Sequence, residues 1–244
     1  PVHLKESQLI GANALVEAGT FLSILAGTIA GSLLILTGSG IALVTGLVLA
    51  LAGLGYAASR FIPDAPAASP DLKISWNILA ESWRMVSRAV SVRFSRFTIF
   101  GISWFWLVGA ILLSLFPAIA GDLLKGDETV VTLFLVLFTV GIAIGSMLSS
   151  RLLKGQVTAV HAPYGALGIA VFIADFAFSL MSYLPSASGD LVGGLAFLSS
   201  WRNLRMMADL VGVALCGGIF IVPLYAILQA RSADENRSRT IAAN

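Results

Sequence analysis

Six long apolar runs divide the chain, and each is long enough to cross a bilayer as a helix. A bilayer core needs about 20 mostly apolar residues per helix. Residues 18–59 carry no charged side chain and hold two runs, separated at "TGSG" (37–40) because these residues favour a turn. The predicted spans are 9–36, 41–58, 97–120, 129–149, 164–184 and 206–230. The apolar stretch at 191–201 is too short to span and is predicted to lie at the membrane interface.

Lys and Arg residues fall unevenly on the two sides of these spans. With six alternating spans, twelve of the 15 lie on one side, and only Lys125, Arg202 and Arg205 lie on the other. Cytoplasmic loops of membrane proteins are rich in Lys and Arg. The sequence therefore predicts that both ends of the chain and the long 60–96 loop are cytoplasmic.

The 60–96 loop has a helical pattern of its own. From Leu79 to Phe97, apolar residues recur every three or four positions, and the arginines mostly lie off this stripe. Two interpretations remain open: a basic amphipathic helix on the inner membrane surface, or a solvated helical connector.

The composition supports an integral membrane protein and argues against several other classes. The chain is 57% hydrophobic and 11% charged, whereas soluble domains are about 25% charged. Basic runs interleaved with aromatics are missing from the sequence, which argues against a nucleic-acid partner. The single cysteine excludes an internal disulfide and a cysteine-based metal site. No phosphate-binding loop, G-x-S-x-G motif or acyltransferase His with an Asp five positions later occurs, so we predict no enzyme activity, cofactor or metal.

A weak repeat links the two ends of the chain. At an offset of 231 positions, Ser7, Ile10, Ala12 and Asn13 coincide with Ser238, Ile241, Ala243 and Asn244. Both stretches begin a span of the same direction, and six spans lie between them. A sequence that recurs after six spans in the same orientation predicts two parallel six-helix halves, of which the chain is a fragment.

Three stretches resemble the transporter module of the lysophospholipid transporter family, within the major facilitator superfamily. They are "HLKESQLIGANALVEAGTFLSILAGTIAGSLL" (3–34), "GISWFWLVGAILLSLFP" (101–117) and "GGIFIVPLYAILQARSADENRSRTIAAN" (217–244). The resemblance implies an all-α polytopic bundle, a partial major facilitator fold that holds helices five to ten of twelve. Residues 1–59 would end the first half, 60–96 would form the linker, and 97–244 would begin the second half.

The resemblance also implies a function. Members of the family move lysophospholipid, typically lysophosphatidylethanolamine, across the bacterial inner membrane for reacylation, and the module occurs alone or fused to an acyltransferase. We therefore expect a secondary transporter with lysophospholipid and membrane lipid as partners. Two alternatives remain: a module that anchors a fused or associated acyltransferase without transport of its own, and a small-molecule effluxer of the same superfamily.

Candidate site residues come from two sources. In the superfamily layout helices seven and ten line the cavity, which implies as substrate-cavity candidates Ser103, Trp104, Trp106, Asp209, Tyr225 and Gln229. Independently, a carboxylate inside a span is costly and should face protein or water. This singles out Asp175, which lies mid-span, and Glu17. For Asp175 a structural hydrogen bond to a neighbouring helix is the alternative, and for Glu17 a contact with a helix dipole.

Two pairs of glycines are spaced to form flat helix faces. Gly27 and Gly31 lie in the first span, and Gly141 and Gly145 lie in the fourth. Such faces allow helix backbones to approach closely. In the superfamily layout these two spans adjoin between the halves, so we expect them to be neighbours with at least one glycine pair at their contact.

Overall fold

A computed structural model describes residues 4–35, 37–64, 76–183 and 191–231. The repeat at 238–244 and most of the Pro/Ala-rich linker lie outside this part of the chain. The described residues form helices α1 (Glu6–Ile35), α2 (Gly40–Ser59), α3 (Ile78–Ser91), α4 (Arg93–Ala118), α5 (Glu128–Leu153), α6 (Ala162–Met181), α7 (Gly194–Leu198) and α8 (Trp201–Arg231). A π-helical turn, Ile119–Leu123, continues α4.

Six of these helices are long and apolar enough to cross a membrane by length and composition: α1, α2, α4 with its π-helical turn, α5, α6 and α8. This confirms the predicted all-α polytopic membrane bundle. The main difference is at helix starts. Helix α4 begins at Arg93 and α8 at Trp201, four and five residues before the predicted spans, because helices continue past the apolar core and an apolar run marks only the core.

Helix α8 lies at the centre of the bundle. It packs most extensively against α5 and α6, and also against α1 and α4. The starts of α1 and α4 lie beside the end of α8, where the Arg231 guanidinium lies 4.9 Å from the centre of the Phe94 ring. The starts of α5 and α8 lie at the opposite end of the bundle, beside α7. We call this opposite end the α7 end.

Helices α1 and α5 are neighbours, as expected, but the predicted glycine contact between them is wrong. A Cβ atom added to Gly27 or Gly31 would meet nothing within 4 Å. A Cβ on Gly141 would lie 2.6 Å from the Ala214 Cβ on α8, and a Cβ on Gly145 would overlap the Leu215 carbonyl oxygen. The glycine face of α5 is therefore turned to α8, because a spacing of four residues defines a face but not the helix that it meets.

The predicted helix over 76–96 is interrupted at one residue. Val92 has an extended backbone, with φ −80° and ψ 114°, and separates α3 from α4. The first part of the apolar stripe of α3 is not packed on the bundle, since Leu79 is 85% exposed and Trp83 is 74% exposed. An apolar face without protein neighbours in the described chain fits contact with lipid.

Loops at the α7 end are tied to one another by backbone hydrogen bonds. The Val192 amide donates to the Lys125 carbonyl at 2.8 Å, and the Asp127 amide donates to the Val192 carbonyl at 3.1 Å. The Asn203 side chain donates to the Phe197 carbonyl at 2.9 Å. Asp127 also caps α5, and the hydrogen bond from the Thr129 hydroxyl lowers the pKa of its carboxyl below the ordinary value. These contacts hold the start of α8 in place.

Candidate functional site

Three aromatic residues from three helices meet beside α8. The Trp106 indole donates a hydrogen bond of 2.8 Å to the Tyr225 hydroxyl. The Phe21 ring lies parallel to the Trp106 ring, with 5.9 Å between centroids and 7° between planes. Phe21 is buried, whereas Trp106 stays 36% exposed. This aromatic cluster of Phe21, Trp106 and Tyr225 joins α1 to α4 and α8 and leaves part of the indole open to a ligand.

Trp104 faces a different side of α4 from Trp106, as its position two residues away predicts. Its ring meets the Phe220 ring edge-on at 5.9 Å. Trp104 is 40% exposed, and the neighbouring Ser103 is exposed as well. These two cavity candidates therefore lie apart from the aromatic cluster.

Gln229, another cavity candidate, is hydrogen-bonded to a residue that the sequence did not predict as its partner. The Asn13 amide donates to the Gln229 carbonyl oxygen at 3.0 Å, and the Gln229 amide donates to the Asn13 carbonyl oxygen at 2.9 Å. Asn13 also donates to the Leu9 carbonyl at 2.8 Å. This reciprocal pair joins α1 to α8 near the end of α8. The sequence holds one indication of this pair, since Asn13 and Gln229 are amide residues within apolar helices.

We expect the two amides to stabilise each other measurably. A double-mutant cycle with Asn13→Ala and Gln229→Ala should give a coupling free energy of about 0.6–1.7 kcal/mol, the range for polar contacts between membrane helices. Each single variant should lower the free energy of unfolding, because it leaves the other amide without its partner. Unfolding in mixed micelles measures these values. Additive effects of the two substitutions would contradict the interaction.

Glu17 lies one turn after Asn13 and one turn before Phe21 on the same face of α1. Its side chain is 4% exposed, and its Oε1 has no hydrogen-bond partner in the described part of the chain. Helix α1 begins at Glu6, so Glu17 lies three turns inside it. A helix dipole acts within about one turn of the helix end. The dipole alternative for Glu17 therefore fails.

Two serines on α5 share this lack of partners. The hydroxyls of Ser146 and Ser149 are fully buried, and neither has a hydrogen-bond partner among the described residues. Helix α5 packs against both α1 and α8. The interior shared by these three helices thus holds polar groups with unused hydrogen-bonding capacity, which is costly in an apolar setting.

Asp175 faces another helix, as predicted from its mid-span position. Its carboxylate accepts hydrogen bonds from the Arg205 guanidinium on α8, with 3.0 Å from Nε to Oδ2 and a second, shorter contact from Nη2. Asp209 is buried, and its Oδ2 has no hydrogen-bond partner in the described chain. Asp209 interacts electrostatically with both Asp175 and Arg205. This ion pair supports the structural alternative for Asp175.

The structure places two of the cavity candidates on α8 far from each other. Asp209 and Tyr225 are sixteen residues apart on α8, which is about 24 Å at ~1.5 Å per residue. Asp209 belongs with the ion pair near the α7 end, and Tyr225 belongs with the aromatic cluster toward the other end. Within the part of the chain that the structure describes, no three His, Cys, Asp or Glu residues are placed to hold a metal ion.

Comparison with known proteins finds relatives in several bacteria. The chain is 31% identical over 232 residues to a lysophospholipid transporter LplT of Escherichia coli O1:K1, covering 92% of this chain and 51% of the relative. It is 32% identical over 231 residues to the protein of that name in Escherichia fergusonii, with 92% and 51% coverage. The Yersinia enterocolitica protein of that name is 31% identical over 244 residues, with 93% and 51% coverage.

The chain thus spans about half the length of the curated relatives that it matches. No family model matches the chain. No solved structure matches it either.

Proposed function

We propose that the chain belongs to the lysophospholipid transporter family, within the major facilitator superfamily, and forms part of a secondary transporter that moves lysophospholipid across the bacterial inner membrane for reacylation. The observation that carries this proposal is the similarity to proteins named lysophospholipid transporter over 92% of the chain. Six apolar helices fit a membrane transporter. Since the named relatives are transporters, the comparison also fits the prediction that this segment is not an enzyme.

The distribution of basic residues supports an orientation. Arg151, Lys154 and Arg231 lie at the end of the bundle where α1 begins, so this end faces the cytoplasm by the positive-inside rule. The α7 end then faces outward. Helices α1 and α2, within 1–59, end the first half of the transporter, and α4 begins the second half, which takes up 97–244. The 60–96 segment links them, and its helix α3 lies along the inner membrane surface.

The packing of α1 and α5 supports this division. In the superfamily layout they are helices five and eight, which adjoin between the halves, and in this structure they are in contact. The backbones of α5 and α8 are in close contact at Gly145 and Leu215, where an added Cβ would overlap the Leu215 carbonyl oxygen. We infer that α5 and α8 move as one rigid unit and that α1 moves against them during alternating access.

The aromatic cluster is the best-supported contact for the substrate. Phe21 belongs to the first half, and Trp106 and Tyr225 belong to the second, so the cluster lies where the two halves meet. Its aromatic surface suits an acyl chain, and the Tyr225 hydroxyl suits a polar head. Trp104, Ser103 and Gln229 lie on the same two helices but outside the aromatic cluster, and they are weaker candidates.

We test this assignment with Trp106→Ala in the full-length protein. Loss of the stacked ring should slow lysophospholipid transfer about tenfold, equal to ~1.4 kcal/mol, because the variant removes both the ring contact and the hydrogen bond to Tyr225. Tyr225→Phe keeps the ring and should have a smaller effect. Transfer of labelled lysophosphatidylethanolamine between leaflets of proteoliposomes is the measurement.

Trp83→Ala is the matched control, because Trp83 is 74% exposed on α3 and lies outside the aromatic cluster. Equal losses in Trp106→Ala and Trp83→Ala would contradict the site assignment. If the unsubstituted protein moves no lipid but recruits an acyltransferase to the membrane, the anchoring alternative is correct. Export of a small solute without lipid transfer would instead favour the effluxer.

A further inference from the structure

A small polar cavity opens between the end of α6 and the start of α8. Its volume is about 120 Å³, and its walls are Phe178, Ser179, Ser182, Tyr183, Arg202 and Arg205. Pockets that enclose a drug-sized ligand measure about 300–1,000 Å³. This cavity therefore suits a head group and not a whole lipid.

The cavity wall is positively charged. Arg202 and Arg205 are three residues apart and lie on the same face of α8. Among the described residues that line the cavity, none is a carboxylate. Arg205 is fixed by Asp175, which stands outside the lining and receives two guanidinium hydrogen bonds. Arg202 has no ion pair with any described residue, so its charge is available to a ligand.

Hydroxyl groups complete the cavity. The Ser179 hydroxyl is buried and has no hydrogen-bond partner in the described chain. By contrast, the Ser182 hydroxyl donates to the Phe178 carbonyl at 2.9 Å, and the Tyr183 hydroxyl donates to the Leu124 carbonyl at 3.3 Å. Ser179 is thus the hydroxyl that remains free to donate. Guanidinium and hydroxyl donors together are the usual partners of phosphate oxygens.

Arg202 and Arg205 lie on the side of the membrane where basic residues are few. Arg202 and Arg205 are two of the three basic residues that fall on the side opposite to the other twelve, against the general bias of membrane proteins. Asp175 offsets the charge of Arg205 only. Binding of an anion from the lipid surface explains why a second, unpaired arginine stands beside it.

We propose that this cavity binds the phosphate of a lysophospholipid head group at the outward-facing end of the bundle. Arg202 and Ser179 donate to the phosphate oxygens, and Asp175 positions Arg205 for the same task. Phe178, which is 60% exposed at the cavity wall, lies against the apolar part of the lipid. The proposal rests on the proposed function for its substrate and on the proposed orientation for its leaflet.

The test compares Arg202→Gln with Arg151→Gln in the full-length protein. Both variants remove one exposed positive charge, but Arg151 lies at the end of α5, away from the cavity. Arg202→Gln is preferred to a change at Arg205, because it leaves the ion pair with Asp175 intact. Binding of labelled lysophosphatidylethanolamine is measured in maltoside micelles, which carry no phosphate. Monoacylglycerol with the same acyl chain is the control ligand, because it lacks the phosphate.

We expect Arg202→Gln to weaken lysophosphatidylethanolamine binding about tenfold, to leave monoacylglycerol binding unchanged, and to be rescued in part by Arg202→Lys. Arg151→Gln should bind as the unsubstituted protein does. Equal affinity of Arg202→Gln and the unsubstituted protein for lysophosphatidylethanolamine would overturn the site. If inorganic phosphate displaces the lipid at a concentration equal to that of the lipid, the cavity binds free phosphate. The proposal that a lipid supplies the phosphate would then be wrong. Failure of the unsubstituted protein to transfer lipid contradicts the proposed function instead, and this outcome is distinct because binding is measured separately.

Discussion

Gly145→Ala is expected to disrupt the contact between α5 and α8. It should lower the free energy of unfolding more than Gly→Ala at any other described glycine. The added Cβ would overlap the Leu215 carbonyl oxygen and lie 2.8 Å from the Leu215 carbonyl carbon. These are backbone atoms, so no side-chain rotation can relieve the overlap. Overpacking of a core costs about 1–3 kcal/mol and occasionally more, and we expect the upper end of that range or failure to fold.

The same contact can be tested from its other side. A Cβ on Gly218 would lie 2.3 Å from the Ser146 amide nitrogen, so Gly218→Ala should behave like Gly145→Ala. The matched control is Gly27→Ala, because a Cβ there meets nothing within 4 Å. Thermal unfolding and the yield of monodisperse protein in detergent are the measurements. Equal stability of Gly145→Ala and Gly27→Ala would contradict the close packing of α5 on α8.

Glu17→Gln is expected to separate stability from transport. An ionised carboxylate at the centre of a membrane helix costs about 2.5–3.5 kcal/mol on insertion scales, and Oε1 of Glu17 has no partner in the described chain to offset that cost. The neutral amide has the same shape, so the variant should be at least as stable as the unsubstituted protein. Because Glu17 lies between the amide pair and the aromatic cluster, we expect lysophospholipid transfer to fall about tenfold or more, equal to ~1.4 kcal/mol.

Glu6→Gln is the control for this experiment, since Glu6 is exposed in the first turn of the same helix. It should leave both the unfolding temperature and the transfer rate unchanged. If Glu17→Gln transfers lipid at the normal rate, the carboxylate has a structural role only. If Glu17→Gln lowers both stability and transfer, the carboxylate has an unrecognised partner, and a role for an unpartnered Glu17 in transport is wrong.

The number, length and approximate limits of the membrane helices could be predicted from the sequence. Residues 18–59 carry no charge, and burying their backbone in lipid leaves only a helix able to satisfy its own hydrogen bonds. The same reasoning predicted that Asp175 faces protein, because a carboxylate facing hydrocarbon at mid-span is too costly. These two conclusions follow from the apolar lipid around the helices, and they do not depend on which helices are neighbours.

The sequences of three stretches resemble the lysophospholipid transporter family, and the similarity to named transporters over 92% of the chain agrees with this resemblance. The site was visible only in part. Trp106 and Tyr225 were candidates, but their bond to each other and the stacking of Phe21 were not predicted. Asn13 was overlooked as the partner of Gln229, because 216 residues separate the two along the chain.

The tertiary structure decided which helix each face meets. In a soluble protein an apolar stripe shows which side of a helix is buried, but lipid tails are as apolar as the protein interior, so this guide fails inside a membrane. Gly27 and Gly141 begin pairs with the same spacing, yet a Cβ on Gly27 would meet open space and a Cβ on Gly141 would meet α8. Sequence alone therefore determined that these helices span the membrane, and only their packing determined that α5 lies against α8 and that the aromatic cluster joins three helices.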